Sequence, residues 1–142
     1  MTAKRSRSDG LGRLLVTVYG LFALAAGARS AVQIATKFGD APLAYLLSAL
    51  AAVIYLVAAI CLSRPSALSW RTAVMALAIE LAGVLIVGTA SIVFSGSFPD
   101  ATVWSDYGIG YGFIPLVLPI AGLAWLLRAG TRHDFAAPVP GT

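Results

Sequence analysis

Glu80 is the only glutamate in the chain, and it stands inside the apolar run from Thr72 to Val93. It lies nine residues past Arg71, about 13 Å along a helix and so near the middle of a bilayer. An ionised carboxylate there costs at least ~2.5 kcal/mol even on the lenient insertion scale, so Glu80 must face other helices, pair, or hold a proton. The chemistry open to it is a proton or cation relay. The plainer role is a polar clamp between helices. Depth counting brings two hydroxyls to the same level. Tyr19 is six residues on from Arg13, and Tyr55 is seven back from Leu62, both about 9–11 Å from the same edge. Either can reach the carboxyl if its helix is suitably rotated.

Arg29 is the second candidate. It sits about 24 Å up from Arg13, with Gln33 and Lys37 following at i+4 and i+8 on one face. The three form a polar stripe rising to the outside. They suit the lining of an outward-facing cavity or an anion contact. More plainly, Arg29 would bind freed backbone carbonyls while Lys37 snorkels to the headgroups. Such carbonyls are expected nearby, because Pro115 and Pro119 each remove a helical hydrogen bond and imply a kink. Tyr111 is level with Arg29, so Arg29 is expected near this broken segment.

Other chemistry is poorly supplied. One cysteine, Cys61, excludes an internal disulfide, and one histidine, His133, leaves no metal or haem ligand set. No cofactor is expected. No nucleophile–base pair is visible, which argues against an enzyme. Gly110-Tyr111-Gly112 invites comparison with a potassium filter. However, Gly108 and Ile109 stand where a filter has Thr-Val, Phe113 follows where an Asp is usual, and no adequate pore helix precedes. Asp100 and Asp106 are too few for a calcium site.

The elements that must position these residues follow from composition. Apolar residues make up 59% of the 142, and charged residues only 11%. A soluble domain carries roughly 25% charged residues and cannot bury so much apolar surface at this size. With lipid as solvent it can. Four membrane helices are expected over residues 13–36, 41–62, 71–94 and 107–128, joined by short loops into an all-α, up-down-up-down bundle. Basic tails over residues 1–10 and 129–142 read as disordered. In the last loop, Phe98, Trp104 and Tyr107 suit the outer interface, and Trp70 and Trp125 mark the inner one.

Eight of the ten basic residues, Lys4, Arg5, Arg7, Arg13, Arg64, Arg71, Arg128 and Arg132, fall on one side of a four-span chain. Both termini are therefore expected in the cytoplasm, with the chain multi-pass in the plasma membrane. The +4 charge reports topology rather than nucleic-acid binding. A cleaved signal peptide ending at Ala26-Gly27-Ala28 competes for the first span, but the apolar pattern continues past it. Gly27-x-x-Ser30-x-Val32 and Gly88-x-x-Ser91-x-Val93 recur near the ends of helices one and three. They hint at two parallel hairpin copies, or at chance in an alphabet rich in small residues.

Two stretches, VYGLFALAAGARSAVQIATKF from Val18 and FPDATVWSDYGIGYGFIPLVLP from Phe98, carry a resemblance. Over roughly residues 11 to 130 the chain resembles small uncharacterised four-helix integral membrane proteins of actinobacteria. The resemblance implies a plasma-membrane protein and no activity. Small multidrug-resistance exporters are similar in size, but they carry their membrane glutamate in the first helix. Here helix one has Arg29 and the glutamate is in helix three. The expected function is that of a non-catalytic accessory or structural subunit, packing against a membrane-protein partner or itself in the lipid bilayer. The alternative is a small proton- or ion-coupled transporter in which Glu80 titrates.

Overall fold

The computed structural model describes residues 3–136, and among them every regular element is helical. The elements are α1 (Ala3–Lys37), α2 (Pro42–Ser63), α3 (Ala67–Val93), α4 (Ile114–Leu126) and α5 (Ala129–Ala136). A 3-10 segment, Ser105–Tyr111, precedes α4. Local chemistry sets several of these ends. Pro42 opens α2, where its missing N–H costs nothing, and Pro65 follows the end of that helix. The Ser66 hydroxyl caps α3 by accepting the Ser69 N–H at 3.0 Å.

Three helical segments, Gly10–Asp40, Pro42–Ser63 and Ala67–Val93, are long and apolar enough to cross a membrane. α1 packs along α2, α2 along α3, and α3 against both α4 and the 105–111 segment. The interior is built from Leu15, Tyr19, Ala51, Tyr55, Ala58, Leu77 and Val84. Close approach relies on small residues: a Cβ on Gly122 would run into the Leu77 side chain. The outer faces carry Leu24, Leu68, Met75 and Ile86, each well exposed, as expected where lipid is the surrounding solvent.

The expected fourth span, residues 107–128, is not one helix. α4 has only 13 residues, about 20 Å against a hydrocarbon core of about 30 Å. It passes as a span only together with Ser105–Tyr111, and the two meet at 98°. The cause lies in the backbone. Asp106, Tyr107, Gly108, Gly112 and Phe113 all have positive φ, from 51° to 84°, a conformation no right-handed helix tolerates. Pro115 then sits in the first turn of α4, where it starts a helix rather than continuing one. The sharp bend precedes Pro115, while Pro119 lies within α4.

Parts of the two tails are helical. Ala3–Gly10 continues α1, since no proline interrupts the chain before Pro42. Ala129–Ala136 forms α5, whose Phe135 is buried edge-on against Trp125 with centroids 5.9 Å apart. Burying that ring is what an isolated polar tail lacks. Residues 1–2 and 137–142, also expected to be disordered, lie outside the described residues.

Candidate functional site

α3 presents Glu80, Gly83, Val84 and Val87 to the interior, one helical face at i, i+3, i+4 and i+7. Glu80 is completely buried. The Tyr19 hydroxyl of α1 donates to its Oε1 at 2.7 Å. Its Oε2 has no hydrogen-bond partner among the described residues. Tyr55 of α2, brought to the same depth, does not bond the carboxyl. Its ring lies beside Tyr19, centroids 6.0 Å apart, and its hydroxyl accepts from the Trp104 indole N–H at 2.8 Å.

Trp104 is the feature that sequence reasoning missed. Expected at the outer interface, it is buried, and its ring lies against Gly83, where an added Cβ would come within 2.6 Å. Gly83 is ten residues below the end of α3, so the indole reaches about 15 Å into the helical layer. The segment carrying it folds back against α2 and α3, and with α4 it makes a broken span or a re-entrant loop. Irregular backbone survives at such depth only when its polar groups are satisfied, and here hydroxyls do much of this. The Thr102 N–H donates to Ser105 Oγ at 2.8 Å, the Trp104 N–H to Thr102 Oγ1 at 3.0 Å, and the Asp106 N–H to Ser91 Oγ at 2.9 Å. Tyr107, also expected at the interface, lays its ring on Gly88 and shares a 2.8 Å hydrogen bond with Thr89. A glycine inside an apolar helix, one turn from a buried acid, was the available signal for a close approach.

The stripe expected on α1 divides. Arg29 is exposed, and its Nη1 donates to the Tyr111 hydroxyl at 2.9 Å, so it meets the broken segment through a side chain rather than a freed carbonyl. Gln33 turns inward and its Oε1 has no partner among the described residues. The reason is periodicity. Leu15, Tyr19, Ala26, Ser30 and Gln33 fall at the three- and four-residue spacings of the buried face of α1. Lys37, expected to snorkel, pairs with Asp100 at 3.5 Å. Asp100 also accepts from the Tyr45 hydroxyl at 2.9 Å and the Ala101 N–H at 2.9 Å. The Tyr45 hydrogen bond, then the Ala101 N–H and Lys37, hold the Asp100 carboxyl below the usual aspartate range, against a smaller opposing effect of burial.

A line of rings joins the two sites. Phe22 stands 5.7 Å from Tyr111 and 5.9 Å from Tyr55. The order is therefore Arg29, Tyr111, Phe22, Tyr55, Tyr19, Glu80. The two Gly-x-x-Ser motifs share one local bond: Ser30 donates to the Gly27 carbonyl and Ser91 to the Gly88 carbonyl. The hairpins diverge after that, one returning as the continuous α2 and the other through the folded-back segment. Among the described residues, no group of three or more His, Cys, Asp or Glu is placed to hold a metal. No family model, curated protein or solved structure matches this chain.

Proposed function

We propose that this chain is a small multi-pass protein of the plasma membrane, with both termini cytoplasmic, that acts as a non-catalytic accessory or structural unit beside a membrane-protein partner or another copy of itself. One observation carries the reading: three hydrogen bonds from buried or half-buried side chains tie separate elements together. Tyr19 joins α1 to α3, Trp104 joins the folded-back segment to α2, and Trp70 joins α3 to the end of α4 through the Leu126 carbonyl at 2.6 Å. Such bonds fix which helix faces meet, and they leave apolar faces outward for lipid or a partner. Termini in the cytoplasm accord with the eight basic residues at one end.

A second reading is favoured by the unpartnered Oε2 of Glu80. A fully buried carboxyl with one bond is suited to carrying a proton or cation in a small coupled transporter. The two readings separate in one experiment. The full chain and its Glu80→Gln and Tyr19→Phe variants are purified in mild detergent, sized, melted, and reconstituted for flux. As a clamp, Glu80→Gln keeps an acceptor for Tyr19 and melts close to the parent. Tyr19→Phe strips the carboxyl of its donor and costs about 1–3 kcal/mol. The parent would then run as an oligomer or a stoichiometric complex. A monomer whose proton or cation flux disappears in Glu80→Gln overturns the accessory reading and establishes the transporter.

A further inference from the structure

At the start of α3 a cleft of about 380 Å³ is lined by Ala67, Trp70, Arg71 and Arg132, a size within the range of small-ligand sites. Its parts are held in place. The Trp70 indole N–H is fixed to the Leu126 carbonyl, so its ring forms a rigid wall. The Arg132 guanidinium lies 4.8 Å from the centre of that ring. α5 keeps it there, because Thr131 and Phe135 on either side are buried. Arg71 is exposed at the point where the apolar run of α3 begins. Among the residues whose side chains are described, no carboxylate lies within salt-bridge distance of Arg71 or Arg132.

Two guanidinium groups flanking an indole form a site for an oxyanion. The planar fork of arginine matches phosphate oxygens in a bidentate manner, and a cation stacked on an aromatic face keeps its edge N–H groups free to donate. Depth narrows the source. Thr72 starts the apolar run, so the cleft opens where a bilayer's headgroups meet water, at the end where most basic residues gather. Tryptophan favours that same layer, and basic pockets there take anionic headgroups. We propose that the cleft binds a phosphate group, supplied by the headgroup of an anionic phospholipid in the leaflet at the basic end of the bundle. The inference rests on the membrane reading, and it is independent of whether the chain acts as an accessory unit or a transporter.

The test is native mass spectrometry of the full chain in mild detergent, titrated separately with phosphatidylglycerol, phosphatidylcholine and inorganic phosphate. One phosphatidylglycerol should be retained, with phosphatidylcholine held at least roughly tenfold more weakly. Arg71→Gln with Arg132→Gln should weaken retention roughly tenfold to a hundredfold, as expected when charge-assisted bonds are lost. Arg64→Gln, outside the cleft, should change it less than threefold, and the lysine pair Arg71→Lys with Arg132→Lys should recover part of it. Displacement of the lipid by equimolar inorganic phosphate would support the site and assign a free phosphate as its source. Equal retention by the parent and the glutamine pair, or no retention by a parent with an intact thermal melt, overturns the proposal. A chain released from membranes by alkaline wash would fail the membrane reading separately.

Discussion

Asp100 gathers three donors at one mouth of the bundle: the Tyr45 hydroxyl, the Ala101 N–H and the Lys37 ammonium. They tie the end of α1, the first turn of α2 and the folded-back loop to one carboxylate. Because these donors lower its pKa in the folded state, its contribution to stability is complete above the ordinary aspartate value of about 4. That contribution is lost as pH falls through the lowered folded value. The melting temperature of the parent should therefore fall more between about pH 5 and about pH 3 than that of Asp100→Asn. Parallel curves for the two proteins would remove the carboxylate from this role. At this scale the sequence was half legible. Helical rise alone set Tyr19 and Tyr55 at the depth of Glu80. Which of them turns toward the carboxyl depends on helix rotation, and that comes from packing: Tyr55 is engaged by an indole that no local pattern on α2 announces.

Among the elements, the long helices were legible because an uninterrupted apolar run of bilayer length has few other outcomes. The break before α4 was not. Residues 107–113 are apolar enough to pass as membrane helix, and average hydropathy is blind to the sign of φ. The folded-back segment was hidden for a related reason: an aromatic in a short loop ordinarily marks the interface. Its seat can be tested at Gly83. Alanine there gains up to about 1 kcal/mol of helix propensity. Its Cβ, however, would stand 2.6 Å from the Trp104 ring, and overpacking of this kind costs about 1–3 kcal/mol. The clash should win. Gly83→Ala should melt lower and expose an indole to an aqueous quencher, and adding Trp104→Phe should recover part of the stability. A variant as stable as the parent, with quenching unchanged, would show that Trp104 does not occupy this seat.

Among the described residues, apolar side chains face both inward and outward, and the proposed topology would gather eight of the ten basic residues at one end. With Cys61 replaced by alanine, single cysteines at Arg64 and at Ser97 should label from opposite sides of intact cells, Ser97→Cys from outside. Labelling of both from one side would refute the proposed arrangement. A second whole-molecule consequence concerns the order of synthesis. Tyr55 on α2 and Gly83 on α3, which receive the Trp104 indole, are both made before it. α4 is too short to insert unaided. The first three helices thus form a receptor that is already made when the chain beyond Val93 emerges. A chain truncated after Val93 would enter the bilayer with an unfilled groove between α2 and α3. The C-terminal third behaves as a ligand that the protein makes for itself.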